Sequence, residues 1–411
     1  MNYIEIILVV SVALVVYTYF GYGLVVWLLI RLKGKRPVKQ LDDNYWPDVT
    51  LAVPAYNELS CLPAKVENSL DQDYPRERLH LLFVTEGSND GSDEYLRSHY
   101  AGVVDVMGGS ERRGKVAAMN RAMEHIKTPI VIFTDANTQL NTGAVRELVK
   151  HFRDPEVGAV AGEKRILTND NEAAAGAGEG LYWKYESLLK RWDAELHTIV
   201  GAAGELFAVR TNLYEPVETD TILDDFIISL RIAGRGYRVA YEPDAYALER
   251  PSFSILDEQK RKIRIAAGGF QSIVRLSYLL NPFRYGVLTF EYVSHRVFRW
   301  AVAPLCLPII FLANCLLALQ AFTEPSDRGN GWVALLVLQC LFYGAAWAGY
   351  LLEKKQLRWK ALFVPFYFTF MNVCALAGLV RYLRGAQSGT WEKVRRADDV
   401  TLKATQESAR K

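Results

Sequence analysis

The stretch that decides the fold runs from residue 49 to residue 58 and reads VTLAVPAYNE. Its first half, Val49–Val53, is a short apolar run, and the polar segment Pro54–Glu58 follows it directly. A short apolar run bounded by polar residues is typical of a strand buried on both faces. In open α/β sheets, ligands bind beyond the carboxyl ends of the strands. The stretch therefore predicts a buried strand that delivers Pro54–Glu58 to a binding cleft.

Similar short apolar runs recur between about Trp46 and Arg250. They are Leu79–Val84, Val103–Met107, Ile130–Phe133, Gly158–Ala161, Leu206–Val209 and Tyr237–Tyr241. Longer mixed segments, such as Gly114–Ile126 and Thr142–Phe152, lie between them and are typical of helices. Buried strands alternating with helices predict an α/β domain with a mainly parallel sheet.

Polar motifs follow the first, second and fourth predicted strands. They are Pro54–Glu58, the segment TEGSNDGS at residues 85–92 and the segment TDANT at residues 134–138. Because the carboxyl ends of parallel strands share one edge of the sheet, we expect the three motifs to converge on one cleft. The sequence has no G-x-G-x-x-G and no Walker-type lysine loop, which excludes the usual dinucleotide and P-loop sites.

The first apolar segment, Ile6–Ile30, contains no charged residue. About 20 apolar residues suffice to cross the hydrocarbon core of a bilayer. A signal peptide is disfavoured because Glu5 precedes the segment and no small-residue cleavage site follows it. Lys and Arg concentrate on the cytoplasmic side, and the segment is followed by Arg31, Lys33, Lys35, Arg36 and Lys39. We therefore expect the N-terminus outside and the α/β domain in the cytosol.

Three more apolar runs occupy the C-terminal part, at about Ala301–Phe322, Gly331–Leu352 and Ala361–Val380. If the last run crossed the membrane, a basic tail with Arg395 and Arg396 would lie outside, against the positive-inside rule. The favoured interpretation is an interfacial or re-entrant last segment with the tail inside. A true fourth span is the alternative.

The bulk composition fits a membrane protein with one large soluble domain. Half of the residues are hydrophobic and the mean hydropathy is +0.02. The formal net charge is only +2, so the overall charge gives no reason to expect nucleic acid as a partner.

Two further motifs complete the pattern, RRGKVAAMN at residues 112–120 and TILDDF at residues 221–226. With VPAYNE, TEGSNDGS and TDANT in this order, the sequence resembles the family 2 glycosyltransferases. The resemblance is to the membrane-bound synthases related to cellulose, chitin and hyaluronan synthases. It implies a GT-A-type nucleotide-sugar-binding α/β domain with N-terminal and C-terminal transmembrane helices.

The resemblance implies a donor site for a UDP-sugar. The residues that match its motifs are Pro54, Tyr56, Glu58, Glu86, Lys115, Asp135 and Arg264. Glu86 stands where the family usually has Asp. Lys115 begins a predicted helix, whose N–H groups favour the anionic diphosphate. A solvated charge cluster is the alternative interpretation of residues 112–115.

The TDANT segment matches the metal-binding D-x-D position of the family, which implies a Mg²⁺ or Mn²⁺ cofactor. Asp135 and Asn137 are the implied metal ligands, and hard cations prefer oxygen ligands. An amide in place of the second carboxylate brings no charge, so we expect weaker metal binding by the protein alone.

The TILDDF segment matches the acidic motif that supplies the catalytic base of the family. Asp225 is the implied base for the acceptor hydroxyl, and Asp224 lies beside it. Gly204, Glu205 and Asp224 match the acceptor side. An acidic pair at the positive end of a helix is the structural alternative.

The last motifs depart most from the family. Arg264 matches the arginine of Q-x-x-R-W, but Ile265 replaces the tryptophan, which questions processive polymerisation. A basic amphipathic helix on anionic lipid is the alternative interpretation of this segment. Trp391 and Arg396 match a W-x-x-T-x-R segment that would cover the donor.

The predicted organisation has five parts: a transmembrane helix at 1–32, a cytosolic GT-A domain at 45–255, amphipathic interfacial helices at 256–296, transmembrane or re-entrant segments at 297–383, and a cytosolic tail at 384–411. The predicted function is inverting sugar transfer from a UDP-sugar to a glycan or lipid-linked acceptor at the cytoplasmic membrane, with membrane lipids as further partners. Single addition to a lipid or polyprenyl phosphate, and a non-catalytic scaffold, remain alternatives.

Overall fold

The computed structural model describes residues 2–34, 45–166, 173–250, 254–323, 327–354 and 360–385. One sheet of eight strands forms the centre of the α/β domain, in the order β3-β2-β1-β4-β7-β6-β8-β5. The strands are β1 (Val49–Ala55), β2 (Leu79–Glu86), β3 (Asp105–Gly109), β4 (Ile130–Thr134), β5 (Gln139–Leu140), β6 (Val157–Ile166), β7 (Leu206–Arg210) and β8 (Arg238–Glu249).

All seven predicted strands are confirmed, and the sheet is mixed, with four parallel pairings, β1 with β2, β1 with β4, β2 with β3 and β6 with β8, as the larger part. β7 pairs antiparallel with both β4 and β6, and β5 pairs antiparallel with β8. Because β7 runs against β4, its first residue, Leu206, lies opposite Thr134, the last residue of β4. The loop before β7 is thereby brought to the same edge as the TDANT segment.

The helices of the domain cover both faces of the sheet. They are α3 (Leu62–Leu70), α4 (Ser92–His99), α5 (Lys115–His125), α6 (Ala144–Val149), α7 (Ala173–Leu196), α8 (Asp224–Gly234) and α9 (Ile255–Arg275). Side chains of β4 alternate between two buried clusters, since Val131 and Phe133 join one and Ile130 and Ile132 join the other. The sheet therefore has a packed apolar layer on each side.

The remaining helices form the candidate membrane part. They are α1 (Tyr3–Val16), α2 (Tyr22–Lys33), α10 (Pro282–Tyr285), α11 (Val287–Tyr292), α12 (Ala303–Thr323), α13 (Asp327–Lys354) and α14 (Lys360–Leu383). π-helical turns join α1 to α2 at Tyr17–Gly21 and α11 to α12 at Val293–Val302. Four stretches of described residues are long and apolar enough to cross a membrane, namely Tyr3–Lys33, Val287–Thr323, Gly329–Glu353 and Ala361–Leu383.

Two parts of the predicted organisation can be compared with these helices. One helical stretch runs from Val287 to Thr323, so residues 287–296 belong to a candidate span and not to a separate interfacial helix. The last apolar segment is a single unbroken helix, α14, with Pro365 inside it. Within Lys360–Leu383 the helix does not turn back on itself, and its path relative to the membrane stays a prediction.

Candidate active site

The Lys115 side chain joins three of the predicted motifs. Its Nζ donates to Asp135 Oδ1 at 2.7 Å and to the carbonyl oxygen of Gly204 at 3.4 Å, and it lies 3.8 Å from Asp224 Oδ2. Burial opposes the charge of this ammonium group, but the carboxylates of Asp135 and Asp224 outweigh burial and raise the pKa of Lys115. Four parts of the chain thus meet in one cleft: the starts of α5 and α8, the end of β4 and the loop before β7.

Asp225 lies at the N-terminus of α8, beside Gly204. A Cβ atom placed on Gly204 would lie 3.4 Å from Asp225 Oδ2 and 3.7 Å from Lys115 Nζ, so this glycine leaves room between the two groups. Burial, and after it the neighbouring Asp224 carboxylate, raise the pKa of Asp225 to about 8. A carboxyl group with a raised pKa is a stronger proton acceptor once it is ionised.

A buried lysine, Lys65, binds the TDANT segment through hydrogen bonds. Lys65 Nζ donates to Thr134 Oγ1 at 3.0 Å and to the Thr138 carbonyl oxygen at 2.9 Å. The Lys65 side chain is almost completely buried, and burial lowers its pKa to about 7. Sequence reasoning missed this residue, although a lysine between Ala64 and Val66 was a visible signal.

The donor side of the cleft lies between β1, β2 and α5. Pro54, Tyr56, Glu86 and Lys115 line it together with Ala55, Arg112, Gly114 and Ala118. The Arg112 guanidinium lies over the Tyr56 ring, 4.2 Å from its centroid. The structure therefore brings predicted donor residues together and adds Arg112, which the motif comparison did not single out.

Two acidic residues of the predicted donor site, Glu86 and Glu58, are buried and contact other parts of the protein. Glu86 Oε2 pairs with Arg121 at 2.8 Å, and burial raises the pKa of Glu86 despite this arginine. Glu58 is buried, and its carbonyl oxygen accepts hydrogen bonds from the N–H groups of Cys61 and Leu62. Both residues shape the loops of the cleft.

Glu205, predicted on the acceptor side, belongs to a buried ion network. Lys164 pairs with both Glu205 and Glu249, and Arg261 lies 3.7 Å from Glu249. Burial would raise the pKa of Glu205, but the Lys164 ammonium outweighs it and lowers the pKa to about 2. This network links the loop before β7 to α9.

Arg264 and the two predicted gating residues complete the set of predicted site residues. Arg264 lies half-buried on α9. The predicted gating residues Trp391 and Arg396 lie outside the described residues, so their role stays a prediction.

The residues at the end of β4 fit a divalent cation. Asn137 Oδ1 is buried and has no hydrogen-bond partner among the described residues. Asp135 offers a carboxylate two residues earlier, although Lys115 contacts one of its oxygens. The described part of the chain has no group of three or more His, Cys, Asp or Glu side chains placed to hold a metal ion. A cation here would therefore need oxygen ligands from a bound diphosphate as well.

Comparison with known proteins agrees with this geometry. Residues 50–217, which include β1, β2, β4 and the Lys115 and Asp135 positions, match the profile described as Glycosyl transferase family 2. Over these residues the chain is similar to the family 2 glycosyltransferases.

This domain is similar to curated and structurally solved glycosyltransferases. Poly-beta-1,6-N-acetyl-D-glucosamine synthase of Staphylococcus aureus (strain COL) is 26% identical over 257 residues, and the match covers 59% of each chain. The synthase of the same name from Staphylococcus epidermidis is 23% identical over 236 residues, covering 55% of this chain and 56% of that protein. This chain thus matches less than two thirds of the length of these relatives.

A solved structure matches nearly the whole chain. The mannosyltransferase PcManGT from Pyrobaculum calidifontis, in complex with GDP-Man and Mn²⁺, is 25% identical with a TM-score of 0.67. The match covers 92% of this chain and 99% of that chain. The likeness therefore includes the helices outside the α/β domain and supports the GT-A fold predicted from the sequence.

Proposed function

We propose that this protein is an inverting glycosyltransferase that moves a sugar from a nucleoside diphosphate sugar to an acceptor hydroxyl in one displacement. The observation that carries the proposal is the position of Lys115, which contacts the end of β4, the loop before β7 and the acidic start of α8. One cleft thus holds a cation for the diphosphate and, beyond Gly204, a carboxylate for the acceptor.

Each residue of the cleft has a distinct proposed role. Asp225 accepts the proton of the attacking hydroxyl, and the Asp224 carboxylate beside it keeps Asp225 basic. Lys115 binds the diphosphate and balances its charge as the bond to the sugar breaks. Asp135 and Asn137 would hold Mg²⁺ or Mn²⁺, which supplies further charge neutralisation at the leaving group.

We propose a UDP-sugar as donor and a membrane-associated or growing glycan as acceptor. The support is the set of motif matches and the similarity to the staphylococcal synthases, whose name identifies a polysaccharide product. Because the chain is also similar to a structure that contains GDP-Man, a GDP-sugar is the alternative donor to compare with a UDP-sugar. We place the catalytic domain in the cytosol because basic residues follow the first apolar helix.

Incubation of purified protein with radiolabelled UDP- and GDP-sugars, Mn²⁺ and membrane lipid extract tests this function. Sugar transfer from one donor class, absent in Asp225→Asn, is the expected result. Nucleotide binding by the wild-type protein without transfer to any acceptor or to water would instead favour a non-catalytic scaffold. Transfer of a single sugar to lipid would favour the single-addition alternative.

A further inference from the structure

The acidic pair Asp224 and Asp225 follows a segment without helix or strand, residues 214–223, which lies between β7 and α8. Because α8 begins at Asp224, a movement of the end of this segment is passed directly to both carboxylates. Backbone N–H and carbonyl groups in such a segment have no ladder partners and need hydrogen bonds from other parts of the protein. The groups that supply these hydrogen bonds therefore decide where the acidic pair lies.

Two arginines that contact the segment do not set its position in the domain. Arg231 pairs with Glu218 at 2.8 Å, and Arg235 pairs with Glu215 at 2.8 Å. Both glutamate side chains are about half-exposed, where an ion pair contributes little to stability. Both arginines also belong to α8 itself. These pairs join the segment to the helix that follows it, and other contacts must fix that unit relative to the rest of the domain.

Asn120 of α5 binds the first part of the segment. Its Oδ1 accepts hydrogen bonds from the Tyr214 hydroxyl at 2.7 Å and from the Val217 N–H at 3.1 Å. Its Nδ2 donates to the Val217 carbonyl oxygen at 2.8 Å. One side-chain amide thus binds both backbone groups of Val217, as a neighbouring strand would. Because α5 begins with Lys115, Asn120 ties the segment to the helix that carries the proposed diphosphate ligand.

Gln271 of α9 binds the last part of the segment in a similar way. Its Oε1 accepts a hydrogen bond from the Ile222 N–H at 3.1 Å, and its Nε2 donates to the Asp220 carbonyl oxygen at 3.0 Å. Gln271 is buried, and Arg275, one turn further along α9, pairs with the Asp220 carboxylate at 2.7 Å. A Cβ atom on Gly268 would lie 2.8 Å from Ile222 Cβ, so the backbone of α9 lies directly against the segment. α9 therefore fixes the end of the segment that leads into α8.

We propose that Asn120 and Gln271 are positioning residues that hold the base Asp225 at a fixed distance from Lys115. This inference rests on the proposed function. In a single displacement the acceptor hydroxyl attacks the sugar carbon on the side opposite the diphosphate, so the base and the diphosphate ligand must be held apart by the reacting sugar. Asn120 sets the segment against α5, and Gln271 sets it against α9. Both act through the backbone of residues 214–223.

Two variants remove these hydrogen bonds and two matched variants serve as controls. Gln271→Met and Asn120→Leu keep the approximate size of the side chain and remove its hydrogen bonds to the segment. Ser272→Ala removes a buried hydrogen bond inside α9, in which Ser272 Oγ donates to the Gly268 carbonyl oxygen at 2.8 Å. Arg231→Gln removes the contact that the segment makes with α8.

Steady-state kinetics and donor calorimetry of these variants test the proposal. We expect kcat of sugar transfer to fall about ten- to a hundredfold in Gln271→Met and in Asn120→Leu, because misplacement by ~1 Å costs about that much. The donor dissociation constant should stay unchanged, and the controls should keep a kcat close to that of the wild type. Gln271→Asn keeps both polar groups on a side chain one methylene shorter, and we expect an intermediate kcat.

Amide hydrogen exchange measures the segment without the need for turnover. We expect faster exchange at Val217 in Asn120→Leu and at Ile222 in Gln271→Met, with unchanged exchange in β1 and β4. Wild-type transfer with equal kcat in the test variants and the controls would overturn the positioning role alone, as would a loss of kcat without faster exchange in the segment. A wild-type protein that transfers no sugar from any donor would refute the proposed function itself.

Discussion

At the residue scale, the pairing of Asp224 with Asp225 makes activity depend on pH in a defined direction. The pKa of Asp225 is raised to about 8, and its carboxyl group must be ionised to accept a proton. We therefore expect kcat/KM to rise as pH increases through about 8. Asp224→Asn removes a negative charge that raises this pKa. We expect the rise in kcat/KM to move to lower pH in that variant, measured as a pH–rate profile.

Asp225→Asn is the companion variant for that profile. Loss of a general base lowers the rate by about 10²–10⁴-fold, while the amide keeps the size of the side chain. We expect unchanged donor binding by calorimetry and a flat residual pH profile. If Asp225→Asn keeps the wild-type rate and profile, another group is the base.

Asn137 offers the second test at this scale, because its Oδ1 is buried without a partner among the described residues. Asn137→Asp adds a unit charge beside a bound cation, an interaction on the order of a few kcal/mol near a protein surface. We expect half-maximal activity at lower Mn²⁺ or Mg²⁺ concentration, with the donor preference unchanged. Identical metal titrations of the two proteins would show that residue 137 is not a ligand.

At the element scale, the loop before β7 is fixed by a helix that continues into a candidate span. Arg296 Nε donates to the Val200 carbonyl oxygen at 2.9 Å, and its NH1 pairs with Glu186 at 2.8 Å. Arg296→Gln should loosen the loop that contains Gly204, on the proposed acceptor side. We expect kcat/KM for the acceptor to fall about ten- to a hundredfold, because misplacement by ~1 Å costs about that much.

Arg299→Gln is the matched control, since Arg299 also pairs with Glu186. Both variants break a buried ion pair, which costs about 3–5 kcal/mol of stability. A loss of acceptor kcat/KM in Arg296→Gln alone, with equal thermal shifts and unchanged donor affinity, is the expected pattern. Equal losses in both variants would mean that the effect is a general destabilisation.

The sequence predicted those elements that are marked by a pattern of neighbouring residues along the chain. Each buried strand appears as a continuous apolar run, and the motifs follow directly after β1, β2 and β4. The antiparallel direction of β7 was not predictable in this way, because direction depends on pairing between residues far apart, such as Thr134 with Leu206. The partners Lys65, Arg121 and Lys164 were missed for the same reason, since each contacts its partner only in the folded chain.

At the scale of the whole molecule, α14 should be needed for a stable catalytic domain. Deletion of residues 360–411 uncovers the face of α9 that contains Ile263, Ala266 and Phe270. The opposite face of α9 packs against the segment before Asp224, because a Cβ on Gly268 would lie 2.8 Å from Ile222. We expect a lower melting temperature and loss of transfer, measured by thermal unfolding in detergent and by donor turnover.

Truncation after Gly385 is the control for this deletion, because it removes the tail and keeps α14. We expect it to retain the melting temperature of the full chain. If both truncations lower the melting temperature equally, the tail and not α14 provides the stabilisation.

The pairing of α9 with α14 also sets an order of events during synthesis. The ribosome completes α14 roughly 110 residues after the end of α9, which takes about 5–20 s at the usual ~5–20 residues per second. During that interval the apolar face of α9 has been made and its protein partner has not. The membrane surface is then the apolar partner within reach, so the nascent catalytic domain should be bound to lipid before α14 exists. Ribosomes stalled between residues 280 and 350 would carry this early lipid-bound state.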